Sequence, residues 1–231
     1  MKLLDLFCKQ GGCSVGYHRA GFTVTGVDKD PQPRYPYEFH QADALEFLQA
    51  HGHEYDVIAA SPPCQGYSRS TAQFRDTKEY ADLLPITREL LEKSGKPYII
   101  ENVPGSPMRA DVKLSGRMFG LHVVRWRWFE LGGGLWIMNP YKPTISKGIV
   151  RRGEAVSIFG KGAYRKSSGD AMPNFKKESV QATWAYAMDI DWMDCEGMRE
   201  AIPPAYTQWI GEAIFEQVKA KSYGPQAMYK L

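Results

Sequence analysis

Over its first hundred residues the chain alternates short apolar runs with segments of helical period. The predicted strands are KLLDLF, TVTGVD, FHQAD, YDVIAAS and PYIIENV. The predicted helices between them are SVGYHRAGF, ALEFLQA and KEYADLLPITRELLEKSG. YDVIAAS is almost continuously apolar, which is typical of a strand buried on both faces. Strands that alternate with helices predict a parallel sheet built from right-handed crossovers.

Single residues refine the ends of these helices. Ser14 is the predicted N-cap of the first helix, and Gly21 is predicted to end it. Pro85 is expected to kink or restart the third helix, because proline has no N–H to donate to the helical ladder.

The pattern changes after Gly120. VVRWRWFEL alternates and predicts a further strand, which Gly132–Gly134 interrupts. QATWAYAM and PAYTQWIGEAIFEQVKA have helical period and are expected to rejoin the sheet. The predicted organisation is a first part, residues 1–131, a small inserted region, residues 132–180, and carboxyl-terminal helices, residues 181–231, that complete the first part.

The chain has 231 residues, of which 43% are hydrophobic, enough for one globular domain with an insertion. No apolar run approaches the length of a membrane span, and MKLLDLF lacks a signal-peptide layout, so we expect a cytoplasmic protein without a membrane partner. None of the cysteines forms a CxxC pair or lies at zinc-ligand spacing from a histidine, so neither a metal nor a disulfide is expected. The cysteines are Cys8, Cys13, Cys64 and Cys195.

The net charge of +3 is small, but cations are concentrated between Tyr141 and Gly169, where Glu154 is the one anion. The cations of this segment are Lys142, Lys147, Arg151, Arg152, Lys161, Arg165 and Lys166. Aromatic residues are interleaved with them, and such a segment suits contact with a phosphate backbone. Composition leaves a solvated basic loop open as the alternative.

A glycine-containing turn, FCKQGGCSVG, follows the first predicted strand, where doubly wound folds bind cofactors. A tight structural turn would have the same signature. Asp28 ends the second strand, where a carboxylate can bind both ribose hydroxyls, and Asp43 ends the third, where it can accept from an adenine amino group. Each acid could also be an ordinary surface residue. Taken together, the three features predict an adenosine cofactor.

The stretch SPPCQGYS presents Cys64 directly after the fourth strand. In the doubly wound order, strands one and four flank the switch point, so Cys64 is expected to face the cofactor. Pro62 and Pro63 restrict the backbone, which suits a thiol that must reach one atom. A thiolate is a strong nucleophile, and a buried structural cysteine is the alternative.

Seven stretches follow one another in an order that carries a family resemblance. They are DLFCKQGGCSVGYHRAGF, GVDKD, QAD, DVIAASPPCQGYS, YIIENV, VRWRWFE and EAIPPAYTQWIGEAI. The chain resembles the DNA cytosine-5 methyltransferases of the short bacterial or phage type over most of its length, except around residues 132–180. The resemblance implies an α/β, doubly wound, Rossmann-like methyltransferase fold dependent on S-adenosyl-L-methionine, with a small inserted target recognition region at 132–180. The implied reaction is methyl transfer to C5 of a cytosine flipped out of double-stranded DNA.

The resemblance also implies the catalytic residues. Cys64 adds to C6 of the base and so activates C5, while Glu101 contacts N3 and stabilises the developing charge. Arg125 and Arg127 alternate along one predicted strand, so they are expected to share a face. They are similar to the arginine pair with which the family holds the base and the cysteine loop. Without the resemblance, Glu101 would be interpreted as a cap and the arginines as a generic ion pair.

Two further sets of residues complete the predicted site. The cofactor-binding candidates are Phe7, Lys9, Gly11, Gly12, Asp28, Lys29, Asp43, Ala44 and Pro63. The DNA-binding candidates are Gln65, Ser68, Arg69, Arg75, Arg151, Arg152, Lys161 and Arg165. The first four of these lie in or beside YSRSTAQFRDTKEY, which resembles the family's mobile catalytic loop. We expect a monomer that binds duplex DNA.

The chain departs from the family pattern at two places. Lys9 stands where the family usually has glycine, and Arg199–Ile202 replaces Gly-Asn-Ser-Val before Pro203. Lys9 either points outward or supplies a cation to a carboxylate of the cofactor. In the second case the cofactor would be a carboxylated S-adenosylmethionine, and the group transferred would be carboxymethyl.

Two other functions compete with this interpretation. An amino-methyltransferase acting on N4 of cytosine or N6 of adenine would share Ser61–Pro63, but Cys64 stands where its aromatic residue belongs. The ENV and RWRW elements have no role in that enzyme. A DNA-binding relic without turnover is the second alternative, against which the intact Cys64, Glu101, Arg125 and Arg127 speak.

Overall fold

The computed structural model describes residues 1–64, 67, 81–138, 148–158 and 173–223, and a seven-stranded sheet lies at its centre. The strands are β1 Lys2–Leu6, β2 Thr23–Asp28, β3 Glu38–Gln41, β4 Val57–Ala60, β5 Tyr98–Asn102, β6 Val112–Leu114 and β7 Arg127–Gly132. The helices are α1 Gly12–Arg19, α2 Ala44–His51, α3 Leu84–Ser94, α4 Val180–Met188, α5 Cys195–Glu200 and α6 Pro204–Tyr223. Short 3₁₀ helices lie at Gly52–Glu54 and Gly116–Phe119.

The strand order is β3-β2-β1-β4-β5-β7-β6. The first five strands in this order, from β3 through β2, β1 and β4 to β5, pair in parallel. Strand β7 runs antiparallel to both β5 and β6. The fold is therefore α/β and Rossmann-like, and the predicted parallel sheet is confirmed for its first five strands. Since β1 pairs with β2 on one side and β4 on the other, the switch point falls between β1 and β4, as predicted.

The strand predicted at VVRWRWFEL is shorter than its sequence pattern. Strand β7 begins only at Arg127, and upstream of it Val123 makes an isolated bridge with Val156. The carbonyl of Arg125 accepts a hydrogen bond from the Tyr206 hydroxyl at 2.6 Å, so tertiary contacts replace the ladder there. The prediction that Arg125 and Arg127 share a face of one strand is therefore wrong.

Two helix boundaries also differ from the local pattern. Helix α1 begins at Gly12 with Gly11 as its N-cap at φ 84°, and Ser14 lies buried inside the helix. The Ser14 hydroxyl donates to Asp5 Oδ2 at 2.5 Å rather than capping the helix, so that prediction is wrong. Pro85 lies in the first turn of α3, where its missing N–H costs nothing, and α3 begins at Leu84 rather than at the predicted start, which lies outside the described residues.

Helices α1 and α6 pack backbone to backbone on one face of the sheet. A Cβ on Gly16 would lie 2.0 Å from Thr207 Oγ1 and 2.2 Å from the carbonyl oxygen of Pro204. A Cβ on Gly12 would lie 2.4 Å from the carbonyl oxygen of Ile202. This close approach holds the start of α1, and with it the turn after β1, against the segment that precedes α6.

Replacing Gly16 with alanine is therefore expected to lower the free energy of unfolding by about 1–3 kcal/mol, since the methyl group has no room. Chemical denaturation measures the change. Gly52→Ala is the matched control, because Gly52 has helical φ and ψ and the nearest atom to its added Cβ is the flexible tip of Leu48. Equal free energies of unfolding for Gly16→Ala and the native chain would contradict this packing.

A further apolar cluster, separate from the two clusters that contain the strands, includes residues of the predicted inserted region. Val156 and Ile158, from the predicted inserted region, pack there with Val123 and Trp184. Among the described residues, no helix is long and apolar enough to cross a membrane.

Candidate active site

The turn after β1 has an alternating left-handed backbone. Phe7 has φ 60°, Lys9 has φ 47° and Gly11 has φ 84°. Positive φ is uncommon for phenylalanine and lysine, and residues in such conformations are concentrated at functional sites. The turn therefore has the strained geometry expected of a binding loop, and the glycine usual in the family at position 9 would adopt that geometry more easily.

The Asp28 side chain stabilises this turn by binding the backbone of the turn. Its carboxylate accepts hydrogen bonds from the N–H groups of Lys9 and Asp30, each at 3.1 Å. The side chain is buried at the carboxyl end of β2, next to the end of β1. Asp28 thus lies where a ribose acceptor is required, and its contact with ribose hydroxyls stays a prediction.

The Lys9 ammonium lies among carboxylates of the protein itself. Its Nζ is 3.1 Å from Asp30 Oδ2, 3.7 Å from Asp28 Oδ1 and 4.0 Å from Glu200 Oε2. Partial burial lowers the pKa of Lys9, but these carboxylates together outweigh it and the net shift is upward. Lys9 and the Arg199–Ile202 segment, the two departures from the family pattern, therefore contact each other.

The remaining cofactor candidates lie at the same edge. Asp43 is the N-cap of α2, and its Oδ1 accepts from the N–H groups of Leu45 at 2.9 Å and Glu46 at 3.1 Å. Ala44 is the first residue of α2. Lys29 has an exposed side chain directly after β2, and Pro63 follows β4. The ends of β3, β2, β1 and β4 are consecutive in the sheet, so these candidates are brought together.

Cys64 is half-buried in the loop after β4. The loop is fixed by main-chain contacts: Ser61 N–H donates to the Leu6 carbonyl at 3.1 Å, and the Asn102 side chain donates to the Pro62 carbonyl at 3.1 Å. Burial and the nearby Glu101 carboxylate raise the pKa of the Cys64 thiol, whereas Arg127 and Arg125 act in the opposite direction.

Glu101 and Arg127 form a buried ion pair on neighbouring strands. Arg127 Nε is 2.9 Å from Glu101 Oε1, and the two side chains are 14% and 10% exposed. Burial raises the pKa of Glu101 above its ordinary value, although Arg127, Arg125 and a hydrogen bond from Ser61 partly offset it. A carboxyl group in this environment holds its proton to a higher pH than an exposed one.

Arg125 connects three parts of the chain. Its guanidinium donates to the Ile158 carbonyl at 3.1 Å and to the Arg199 carbonyl, and the residue is 8% exposed. Cys64, Glu101, Arg125 and Arg127 thus lie near one another, with Arg125 in a loop, and their catalytic roles stay predictions.

Of the DNA-binding candidates, only Arg151 and Arg152 lie among the described residues. Gln65, Ser68, Arg69, Arg75, Lys161 and Arg165 lie outside the described residues. Arg151 and Arg152 are exposed in a turn, and Arg152 Nε forms an ion pair with Glu154 Oε1. Within the described parts of the chain, no group of three or more His, Cys, Asp or Glu side chains is arranged to hold a metal ion.

Sequence reasoning missed the contacts that cover the turn after β1. Trp192 Nε1 donates to the Gln10 carbonyl at 2.8 Å, and Tyr35 donates to the Ser14 hydroxyl at 2.9 Å. Helix α5, which follows Trp192, was not predicted either. The sequence offered one signal of these contacts: the chain departs from the family pattern at both Lys9 and Glu200, and these two residues contact each other in the structure.

Comparison with known proteins finds a family model and relatives that each match about half of the chain. Residues 1–109 match the family model described as C-5 cytosine-specific DNA methylase. The Type II methyltransferase M.AquIA of Picosynechococcus sp. is 28% identical over 121 residues, which are 45% of this chain and 49% of that protein. M.AgeI of Thalassovita gelatinovora is 29% identical over 121 residues, 46% of this chain and 28% of that protein. The chain thus matches about half or less of the length of these curated relatives.

Solved structures extend the likeness in fold to nearly the whole chain. A mutant of the DNMT2 protein of Spodoptera frugiperda has a TM-score of 0.58 at 12% identity, covering 93% of this chain and 99% of that one. Dnmt2 methyltransferase of S. pombe has a TM-score of 0.56 at 12% identity, covering 94% and 99%. At these identities the likeness shows the fold alone.

Proposed function

We propose that the chain transfers a methyl group from S-adenosyl-L-methionine to C5 of cytosine in double-stranded DNA, and the match of residues 1–109 to the model described as C-5 cytosine-specific DNA methylase supports this. The observation that carries the proposal is the arrangement at one edge of the sheet. The Cys64 thiol follows β4, the buried Glu101–Arg127 pair lies on β5 and β7, and the left-handed turn follows β1. A nucleophile, an acid and a cofactor turn thus adjoin the switch point.

The residues around the turn fit S-adenosylmethionine. The backbone of Phe7, Lys9 and Gly11 forms the turn, Asp28 offers an acceptor at the end of β2, and Asp43 does so at the end of β3. These are the contacts that a ribose and an adenine require. When bound, this cofactor supplies an electrophilic methyl group.

The protein's own residues activate the base. The Cys64 thiolate forms a bond to C6, and the electron pair of the C5–C6 double bond moves through the ring towards N3. In its protonated form Glu101 donates to N3 and neutralises that charge; burial raises the pKa of Glu101 and so favours this form, whereas Arg127 acts against it. C5 is then enamine-like and nucleophilic. After methyl transfer, water takes the C5 proton, the C5–C6 double bond forms again, and the Cys64 thiolate leaves as the N3 proton returns to Glu101.

The two arginines support these steps from different sides. Arg127 holds the Glu101 carboxyl through the contact at 2.9 Å. Arg125 fixes the Ile158 carbonyl and the Arg199 carbonyl around the site. Both guanidinium groups favour the Cys64 thiolate, because opposite charge lowers the pKa of a thiol.

The ion pairs of Lys9 favour an ordinary cofactor over a carboxylated one. Its ammonium already has three carboxylates within 4.0 Å. An additional cofactor carboxylate would have to compete with them, so we propose methyl rather than carboxymethyl transfer.

Residues 132–180 are proposed as the target recognition region, with duplex DNA as the partner. Neutralising Arg151 and Arg152 together is expected to flatten the dependence of log affinity on log salt by about two units, if each contacts a phosphate. Titrations of a labelled duplex at several salt concentrations measure the slope. Lys93→Ala with Lys221→Ala removes the same charge from exposed sites on α3 and α6. An unchanged slope in the arginine double variant would contradict the contact.

A methyl-transfer assay tests the proposed function. Purified protein is incubated with S-adenosylmethionine labelled in its methyl group and with unmethylated duplex DNA, and the DNA is digested to nucleosides. Label in 5-methyldeoxycytidine is the expected result. Label in N4-methyldeoxycytidine or N6-methyldeoxyadenosine would assign the protein to the amino-methyltransferases, and unlabelled DNA would favour the relic.

A further inference from the structure

Residues 192–200, here called the clamp segment, cover the turn that follows β1. The Trp192 indole N–H donates to the Gln10 carbonyl at 2.8 Å, and Gln10 Nε2 donates to Asp194 Oδ1 at 3.3 Å. Glu200 Oε2 lies 4.0 Å from Lys9 Nζ. The clamp segment therefore contacts both residues at the centre of the turn.

The clamp segment is itself held in place. The Trp192 ring packs against the apolar cluster that contains Trp184 and Met193. Asp194 caps α5 by accepting from Gly197 N–H at 2.9 Å, and its Oδ2 lies 3.4 Å from Arg34 Nε. The direction of the Trp192 N–H is thus fixed by packing rather than by the turn that it contacts.

The turn needs such support because of its backbone. Lys9 has φ 47°, in a region that glycine enters freely and lysine does not. A conformation of this kind persists where surrounding contacts over-determine it. Asp28, at the end of β2, accepts from the Lys9 N–H, and Trp192, in the clamp segment, donates to the carbonyl of the next residue, Gln10.

We propose that Trp192 and Glu200 are positioning residues for the cofactor: they hold the Lys9–Gln10 turn in its binding conformation and so set the affinity for S-adenosylmethionine. The inference rests on the proposed function. Neither residue is required to touch the cofactor or the reacting base. Their removal is therefore expected to weaken cofactor binding and to leave the chemical step intact.

Trp192→Phe tests the proposal, because it keeps an aromatic ring and removes the N–H donor. Calorimetry with S-adenosylmethionine and with S-adenosylhomocysteine is expected to show about a fivefold rise in Kd, which at 1.4 kcal/mol per tenfold change is about 1 kcal/mol. KM for the cofactor should rise in parallel, with kcat at saturating cofactor and the Kd for DNA unchanged. Tyr186→Phe is the control, since it likewise keeps an aromatic ring and removes a polar hydrogen, from a half-exposed side chain on α4.

Glu200→Gln provides a second test that does not alter packing. We expect about a twofold rise in cofactor Kd at low salt that disappears at high salt, because the Lys9–Glu200 contact is exposed and screened. Glu196→Gln, at an exposed position of the same helix, should bind as the native protein does.

Three outcomes would overturn the proposal. The first is an unchanged cofactor Kd in both Trp192→Phe and Glu200→Gln. The second is a fall in kcat, DNA affinity and melting temperature together with cofactor affinity, which would make the clamp segment merely structural. The third is a native protein that binds neither S-adenosylmethionine nor S-adenosylhomocysteine, which would remove the proposed function as well.

Discussion

Replacing Cys64 with alanine is expected to abolish methyl transfer while leaving cofactor binding intact. The thiolate supplies the bond to C6 without which C5 of cytosine is too weak a nucleophile, and no second group in the described site can replace it. Cys64 lies in a loop whose backbone is held by the Leu6 carbonyl and the Asn102 side chain, so the Cys64 side chain can be shortened without loss of the fold. Turnover assays with calorimetry of S-adenosylmethionine binding measure both effects.

A mechanism-based trap makes the same prediction sharper. Duplex DNA synthesised with 5-fluorocytosine throughout contains every recognition sequence, and fluorine at C5 cannot leave as a proton. The native protein is therefore expected to remain covalently attached after methyl transfer, as a band that survives denaturation and needs cofactor for full yield. Cys195→Ala, at another half-buried cysteine, should still form the band. A full-yield band from Cys64→Ala would show that another residue is the nucleophile.

Replacing Glu101 with glutamine is expected to lower kcat by about 100- to 1,000-fold, the usual cost of removing one group that stabilises developing charge. Glutamine has nearly the size of glutamate but has no carboxylic proton to give to N3. Single-turnover measurements at saturating cofactor isolate this step. The 5-fluorocytosine adduct should still form, at a correspondingly slower rate.

Glu130→Gln separates chemistry from stability. Glu130 is buried on the same strand as Arg127 and is paired with Arg88 at 2.8 Å. Loss of that ion pair is expected to lower the melting temperature and to leave kcat per folded molecule unchanged. Equal single-turnover rates for Glu101→Gln and the native protein would contradict the proposal that Glu101 stabilises the charge developing at N3.

The sequence predicted those parts of the fold that are set by the pattern of apolar and polar residues along the chain. Apolar runs separated by helical segments predicted β1 to β5, and the right-handed crossover rule then predicted the switch point between β1 and β4. Arg125 shows the limit. Arg125 alternates with Arg127 in the sequence, but the Arg125 carbonyl accepts a hydrogen bond from the Tyr206 hydroxyl, and β7 begins only at Arg127.

The candidate site was predictable in position and unpredictable in its contacts. Cys64 and Glu101 follow or end neighbouring strands, and strand ends meet at one edge of a parallel sheet. The partners of Lys9 and the contact between Trp192 and Gln10 join residues far apart in sequence, and no periodicity records such a contact. The left-handed backbone at Lys9 is likewise set by tertiary contacts, against the preference of the residue.

The central claim, Cys64-dependent methylation of cytosine at C5, is tested most directly by expressing the protein in a host that lacks DNA methylation. Genomic DNA from cells with the native chain and from cells with Cys64→Ala is digested and its nucleosides are identified by mass spectrometry. We predict 5-methyldeoxycytidine with the native chain and none with Cys64→Ala. A carboxymethylated cytosine, an N-methylated base, unmodified DNA, or 5-methyldeoxycytidine in both strains would contradict the account.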